Sequence, residues 1–196
     1  YKTEITEAYL DALPFEVSHV LQSERLGTGH AVMMAKEFLK AKGGDVAILC
    51  GDAPFMDAGT IADAYESHNE SGASATVISA MLDDPTGYGR IVRNQDGTLK
   101  SIVEQKEADA ETLAIREINS GAYWFDTADL LGVLDDIKAN NSAKEYYLPD
   151  ALYLLLERGR KVGAFTAASA DTVLGANDPA QLAELNEIAR KKASLS

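Results

Sequence analysis

Cysteine is almost missing from this sequence, with one residue, Cys50, among 196. A lone thiol excludes an internal disulfide and a cysteine-rich metal knuckle, and the reducing compartment it favours makes a cytoplasmic protein the expectation. Long apolar runs are missing too. None approaches the roughly 20 residues needed to cross a bilayer, and the opening "YKTEITEAYLDAL" has neither an initiator Met nor the charged-then-apolar order of a signal peptide. Cations are scarce: 18 Lys and Arg against 31 Asp and Glu leave a net charge of -13, which repels a nucleic-acid backbone or an anionic membrane at long range. No nucleic acid and no membrane is therefore expected as a partner. Small phosphorylated ligands stay open, because backbone N–H groups and a metal ion neutralise phosphate locally.

What is present is a core's worth of apolar side chains, 46% of the sequence, most economically arranged as one domain over residues 1–196. Tyr1, Ile5, Ala8, Tyr9 and Leu13 recur at helical spacing, so the chain is expected to open inside or just before an amphipathic helix, with earlier elements preceding it. "FEVSHVLQ" reads as a short strand, and the turn Gly27-Thr28-Gly29 follows it. From His30 the apolar positions Val32, Met33, Ala35, Phe38 and Leu39 share a helical face that ends at Gly43-Gly44. "DVAILC" is a continuous apolar run that suits a central strand covered on both faces.

Beyond it, residues 61–68 read as helix and "SATVISAML" as a second buried strand. "YGRIVRNQDGTLKSIVEQ" reads as a hairpin turning at Gln95-Asp96-Gly97, and "REINSGAYWFD" as another strand. Helices are predicted over 127–137 and 144–157, a strand in "KVGAFTA", and a closing helix over 179–192 whose last turn gathers Arg190, Lys191 and Lys192. This order predicts an α/β architecture with a mixed, mainly parallel sheet and helices on both sides, and ligands bind such sheets at strand ends.

Four polar features fall at those ends: Gly27-Thr28-Gly29, Gly51-Asp52, Glu104 after "SIV", and Asn119 within "EINSG". Each also has a purely structural reading. A glycine turn reverses the chain, an aspartate after a strand caps the next helix as readily as it holds a divalent ion, and a glutamate beside a hairpin is solvated. His30, Cys50, Tyr123 and Trp124 read as packing residues without assigned chemistry.

Taken in order, "LQSERLGTGHAV", "LCGDAPF", "DDPTGYGRIV", "IVEQKEAD", "EINSGAYWFD", "KEYYLPD" and "LGANDPAQL" closely resemble the pyrophosphorylase domain of bacterial N-acetylglucosamine-1-phosphate uridylyltransferases. The resemblance runs from near the first residue to the last helix. It implies a Rossmann-like nucleotide-diphospho-sugar transferase fold and a reaction that joins UTP to N-acetylglucosamine-1-phosphate, giving UDP-N-acetylglucosamine and pyrophosphate. By the same resemblance Gln22, Gly27 and Thr28 read the uracil, and Gly89, Glu104 and Asn119 contact the sugar, with Tyr147 bordering its pocket. Asp52 and Asn177 match the residues that hold Mg²⁺. No acid, base or nucleophile is implied, since a phosphate nucleophile is already ionised and the protein aligns and neutralises charge.

The sequence also departs from that family. Its opening glycine-rich loop, G-x-G-T-x-M, and the lysine after it do not occur, so an N-terminally truncated domain, inactive by itself, is the expectation. The left-handed β-helix through which full-length members form trimers is likewise expected to be absent. Pro149 stands where a hydroxyl residue is common, which removes one sugar contact. Two rival readings differ in class: a related nucleotidyltransferase using another sugar or nucleotide, and a non-catalytic nucleotide-sugar binding module.

Overall fold

The computed structural model describes residues 3–141, 143–176 and 179–194. In chain order these form α1 (Thr3–Asp11), α2 (Thr28–Met34), α3 (Lys36–Lys42), β1 (Asp45–Ile48), α4 (Ala58–Ser71), β2 (Ala75–Met81), β3 (Arg90–Arg93) and β4 (Leu99–Val103). There follow α5 (Ala110–Leu113), β5 (Glu117–Asp126), α6 (Thr127–Leu134), α7 (Pro149–Glu157), β6 (Val162–Thr166), a 3₁₀ turn (Ala170–Val173) and α8 (Pro179–Ala193).

The sheet runs β4-β3-β5-β2-β6, with β1 joined to β5. Strand β2 is the clearest case of sequence dictating position. Ala75 and Val77 face one core with Tyr123, Phe125, Leu130 and Leu152, while Ile78 and Ala80 face the other with Ala64, Ala122, Ile118 and Val173. A strand buried on both faces has no polar side to show, hence its near-continuous apolar run. Helices α3, α6 and α7 cover the first face, and α4 with the 3₁₀ turn covers the second. The helix ends follow their capping residues: the Asp57 carboxylate accepts from Thr60 N at 2.9 Å, Asp126 from Asp129 N at 2.7 Å, and Pro149 opens α7.

The mixed sheet with helices on both faces is as predicted. Its "mainly parallel" character needs correction: four strands point one way, but among the described residues only the β2/β6 pairing is parallel. The cause is β5, which runs against its neighbours and inserts between β2 on one edge and β1 with β3 on the other. Strand β1 is not a central strand. Among the described residues it pairs with β5 alone, and all four of its residues are only half-buried.

Three other predictions shift. Residues 15–22 form no strand, because among the described residues nothing pairs with them, and Phe15, Val20 and Leu21 stay exposed. The helix predicted from His30 breaks at Ala35 (φ -88°, ψ 5°) into α2 and α3, which lets Val32, Met33 and Leu39 reach one core. The helix predicted from residue 144 starts only at Pro149, since residues 144–148 serve as a docking loop. Among the described residues no helix is long and apolar enough to cross a membrane.

Candidate functional site

The centre of the site is a break in β5. Ile78 pairs with Ala122 and Ser79 with Asn119, so Ser120 and Gly121 are two extra residues that bulge out of the ladder. Their chemistry explains the bulge. The Ser120 hydroxyl donates to Ile78 O at 2.6 Å and accepts from Ala122 N at 3.1 Å, replacing the lost ladder bonds. Gly121 takes φ +79°, which a side chain would strain, and its N–H donates to Asn119 Oδ1 at 3.0 Å. On the far edge β1 pairs with residues 123–126 and β3 only with Ile118, which leaves the bulge facing a gap between the end of β1 and the start of β3.

Three residues remote in sequence meet at that gap. Asn119 N donates to Gly89 O at 2.9 Å, and a Cβ on Gly89 would sit 2.9 Å from Glu104 Oε1 and 3.1 Å from Ile102 Cγ2. Glycine at 89 is therefore what lets Glu104 lie against the β3 backbone. Burial of the Glu104 carboxyl by this packing, reinforced by the nearby Glu107 charge, pushes its pKa above the ordinary glutamate value, although the residue's outer atoms reach solvent. Tyr153 of α7 fixes the strand behind it by accepting from Ile102 N at 3.0 Å and donating to Ile102 O.

Asp52 lies four residues past the end of β1. Cys50, two residues earlier, donates its thiol to Gly121 O at 3.3 Å and ties the end of β1 to the bulge, while burial and the Asp52 charge push that thiol's pKa up. The Asp52 carboxylate is exposed and makes no hydrogen bond or ion pair with the described residues. Gly175 comes so close that a Cβ there would lie 3.2 Å from Asp52 O, the backbone carbonyl of this aspartate. Asn177 itself lies outside the described residues, and no group of three His, Cys, Asp or Glu suited to a metal occurs among them.

The glycine turn has a tighter structural role than its sequence suggests. Gly27 (φ +100°) and Gly29 lie against Tyr146, whose carbonyl oxygen would be 2.6 Å from a Cβ at 27 and 3.0 Å from one at 29. Gly29 N donates to Tyr146 O at 2.8 Å, Tyr146 N to Leu26 O at 2.7 Å, and Leu148 N to the Thr28 hydroxyl at 3.0 Å. The turn is thus clamped by the loop before α7. Gln22 folds over it, its amide nitrogen 3.0 Å from Gly27 O and 3.1 Å from His30 Nδ1. Tyr147 is half-buried in that clamp, and it is the backbone of its neighbours, not its ring, that holds the turn. The tyrosines Tyr146 and Tyr153 give no sign of these tasks in sequence, because the partners are remote or are backbone atoms.

The opposite end of β5 holds a cleft of about 290 Å³ lined by Asp45, His68, Ser74, Asp126, Asp129 and Arg160. Its polar groups are satisfied by one another. Asp129 receives the Ser74 hydroxyl at 2.5 Å and pairs with Arg160 at 2.7 Å, and buried His68 bonds Thr76 Oγ1 at 2.9 Å with Asp45 3.7 Å from its other nitrogen. That end is built for structure.

A family model for nucleotidyl transferases matches residues 1–172. The chain belongs to the nucleotidyl transferase family. Among its curated relatives, the bifunctional protein GlmU of Acetivibrio thermocellus is 46% identical over 177 residues and that of Clostridium novyi 48% over 174, covering 90% and 89% of this chain. The GlmU of Halalkalibacterium halodurans is 43% identical over 186 residues, 95% of this chain. The chain spans 38–41% of the length of these relatives. In fold it matches a Bacillus anthracis crystal structure, provisionally named a glucose-1-phosphate thymidylyltransferase, solved with sucrose at 2.76 Å. The TM-score is 0.70 over 97% of this chain and 72% of that one, at 18% identity, a likeness of the Rossmann-like nucleotide-diphospho-sugar transferase fold. This member of the nucleotidyl transferase family brings Gly89, Glu104 and Asn119 together at the β5 bulge, ties the segment leading to Asp52 to that bulge through Cys50, and sets Gln22, Gly27 and Thr28 on the clamped turn.

Proposed function

We propose that this nucleotidyl transferase chain supplies the uridine-reading and sugar-holding parts of a site that transfers uridylyl from UTP to N-acetylglucosamine-1-phosphate, yielding UDP-N-acetylglucosamine and pyrophosphate. The observation that carries the reading is the meeting of Gly89, Glu104 and Asn119 at the β5 bulge, from three separate stretches of sequence, to which the Cys50 thiol ties the segment leading to Asp52. The relatives named GlmU support the choice of this branch of the family.

In this reading the Glu104 carboxylate, seated against the bare backbone at Gly89, accepts from sugar hydroxyls, Asn119 bonds the sugar through its amide, and the N-acetyl group approaches the Gly89 backbone. Gln22, with Gly27 and Thr28, offers amide, backbone and hydroxyl groups to the uracil edge, and Tyr147 borders the sugar. The donors near Asp52 suit Mg²⁺: an exposed, unengaged carboxylate is a hard oxygen ligand, and the close approach of Gly175 brings the segment that leads to Asn177 beside it. Bound there, Mg²⁺ would neutralise charge on the phosphates. The chain's own residues orient the sugar phosphate, whose ionised oxygen attacks the α-phosphorus in line without a general base or a covalent protein intermediate. Wall-precursor synthesis, a cytoplasmic location and trimers formed through a further domain belong to the same reading.

Pyrophosphate release tests it, measured on the full-length polypeptide with UTP or dTTP and with N-acetylglucosamine-1-phosphate or glucose-1-phosphate. The expected result is turnover confined to UTP with the N-acetylated sugar. Preference for dTTP or for glucose-1-phosphate would replace this reading with the rival transferase, and binding without turnover would replace it with a binding module.

A further inference from the structure

The bulge that carries Asn119 also carries a tyrosine with an unusual position. Tyr123 lies four residues along β5, and because Ser120 and Gly121 are an even number of extra residues, Asn119 and Tyr123 keep the same face across the break. The Tyr123 ring is 2% exposed and packs against Phe125 at a centroid distance of 5.8 Å. Its hydroxyl stands 3.0 Å from Asn119 Nδ2 and 3.2 Å from Asn119 Oδ1. Among the described residues no other side chain bonds that hydroxyl.

We propose that Tyr123 is a positioning residue for sugar-phosphate recognition, holding the Asn119 amide in one orientation so that its free N–H meets an acceptor oxygen of the sugar. The inference rests on the sugar-binding reading of Asn119 given above. Two contacts define the orientation. Gly121 N–H donates to Oδ1 at 3.0 Å and decides which way the amide faces, since a flipped amide would set two donors against each other; the Tyr123 hydroxyl accepts from Nδ2 and donates to Oδ1, which fixes where the amide lies. One hydrogen on Nδ2 then remains for a ligand, which fits an acceptor such as a hydroxyl or N-acetyl oxygen. Burial pushes the Tyr123 pKa well above that of a free tyrosine, so the phenol stays neutral and keeps both its donor and its acceptor. A second feature supports the assignment: the Cys50 thiol bonds Gly121 O and the Ser120 hydroxyl bonds Ile78 O, so the bulge backbone next to Asn119 is tied down and the Tyr123 hydroxyl acts on the amide itself.

The test is a double-mutant cycle in the full-length polypeptide, with Tyr123→Phe, Asn119→Ala and the pair, reading pyrophosphate release against each substrate. Tyr123→Phe keeps the ring and removes only the hydroxyl. It is expected to raise the KM for N-acetylglucosamine-1-phosphate by about 5- to 20-fold while the KM for UTP moves less than about twofold, and to add nothing in the Asn119→Ala background. Thermal melting separates this from a structural role, which would lower Tm without shifting one substrate's KM. An unchanged sugar KM in Tyr123→Phe, beside a raised one in Asn119→Ala, overturns the inference and leaves the sugar-binding reading standing. Full additivity of the two changes overturns it as well. An unchanged sugar KM in Asn119→Ala removes the inference together with the reading beneath it.

Discussion

The two ends of β5 differ in what their polar groups lack. At the Asp126 end, carboxylates, imidazole, hydroxyl and guanidinium satisfy one another around a cleft: Asp129 with Ser74 and Arg160, His68 with Thr76 and Asp45. At the bulge end Asp52 is unengaged, one amide hydrogen of Asn119 is free among the described residues, and Glu104 sits where burial opposes its charge. Unsatisfied, convergent polar groups favour the bulge end as the site, because groups that already complete one another have nothing to offer a ligand.

Substitutions sharpen this contrast. In the full-length polypeptide Asp52→Ala is expected to cut turnover on the order of 10²-fold or more while Tm stays within a degree or two, as pyrophosphate release and melting would record. Turnover retained at the native level would break the comparison at its strongest point. The mirror case is His68→Leu, which leaves the buried Thr76 hydroxyl unpaired and should cost about 1–3 kcal/mol in denaturant unfolding, with kcat and both KM values unchanged. Catalytic loss without loss of stability there would reverse the roles of the two ends.

Acid response provides a finer contrast, since the two ends titrate with opposite sign. Burial holds the His68 pKa below the ordinary histidine value despite Asp45 and Asp126, so its contribution is present above about pH 6.5 and lost as the pH falls through that value toward the lower folded one. Glu104 is raised, so its contribution is complete below the ordinary glutamate value near pH 4.3 and lost as the pH rises through the folded one. Unfolding followed against pH should therefore become less steep just below about pH 6.5 in His68→Leu and gain stability toward neutral pH in Glu104→Gln. The smallest effect is expected for Arg160→Ala, about 0–1 kcal/mol, because the guanidinium is more than half exposed and Asp129 keeps its bond from the Ser74 hydroxyl.

Much of the fold was legible wherever local chemistry decides. The run "ATVISAM" is apolar on both parities because both faces of β2 are buried, and Asp96-Gly97 turns the β3/β4 hairpin with Gly97 at φ +84°. Residues 15–22 and β1 misled for one reason: an apolar run announces a strand, but its neighbours decide whether it pairs and how deeply it is buried. The break at Ala35 and the late start of α7 are tertiary choices as well. At the site, glycines and acids at strand ends were visible as candidates, and Gly89 and Asn119 do meet. Their supports were not visible. The Tyr123 hydroxyl, the Tyr146 carbonyl and the Tyr153 contact with Ile102 join residues across the sheet or through backbone atoms that carry no residue-type signal.

The most direct measurement is backbone hydrogen exchange of the full-length polypeptide with and without UDP-N-acetylglucosamine and Mg²⁺. The account predicts added protection in residues 86–89, 104–106 and 119–122 and none in 68–74, which line the cleft at the other end. Protection confined to 68–74 would place the ligand at the charge-paired end and contradict the assignment of the bulge as the sugar site.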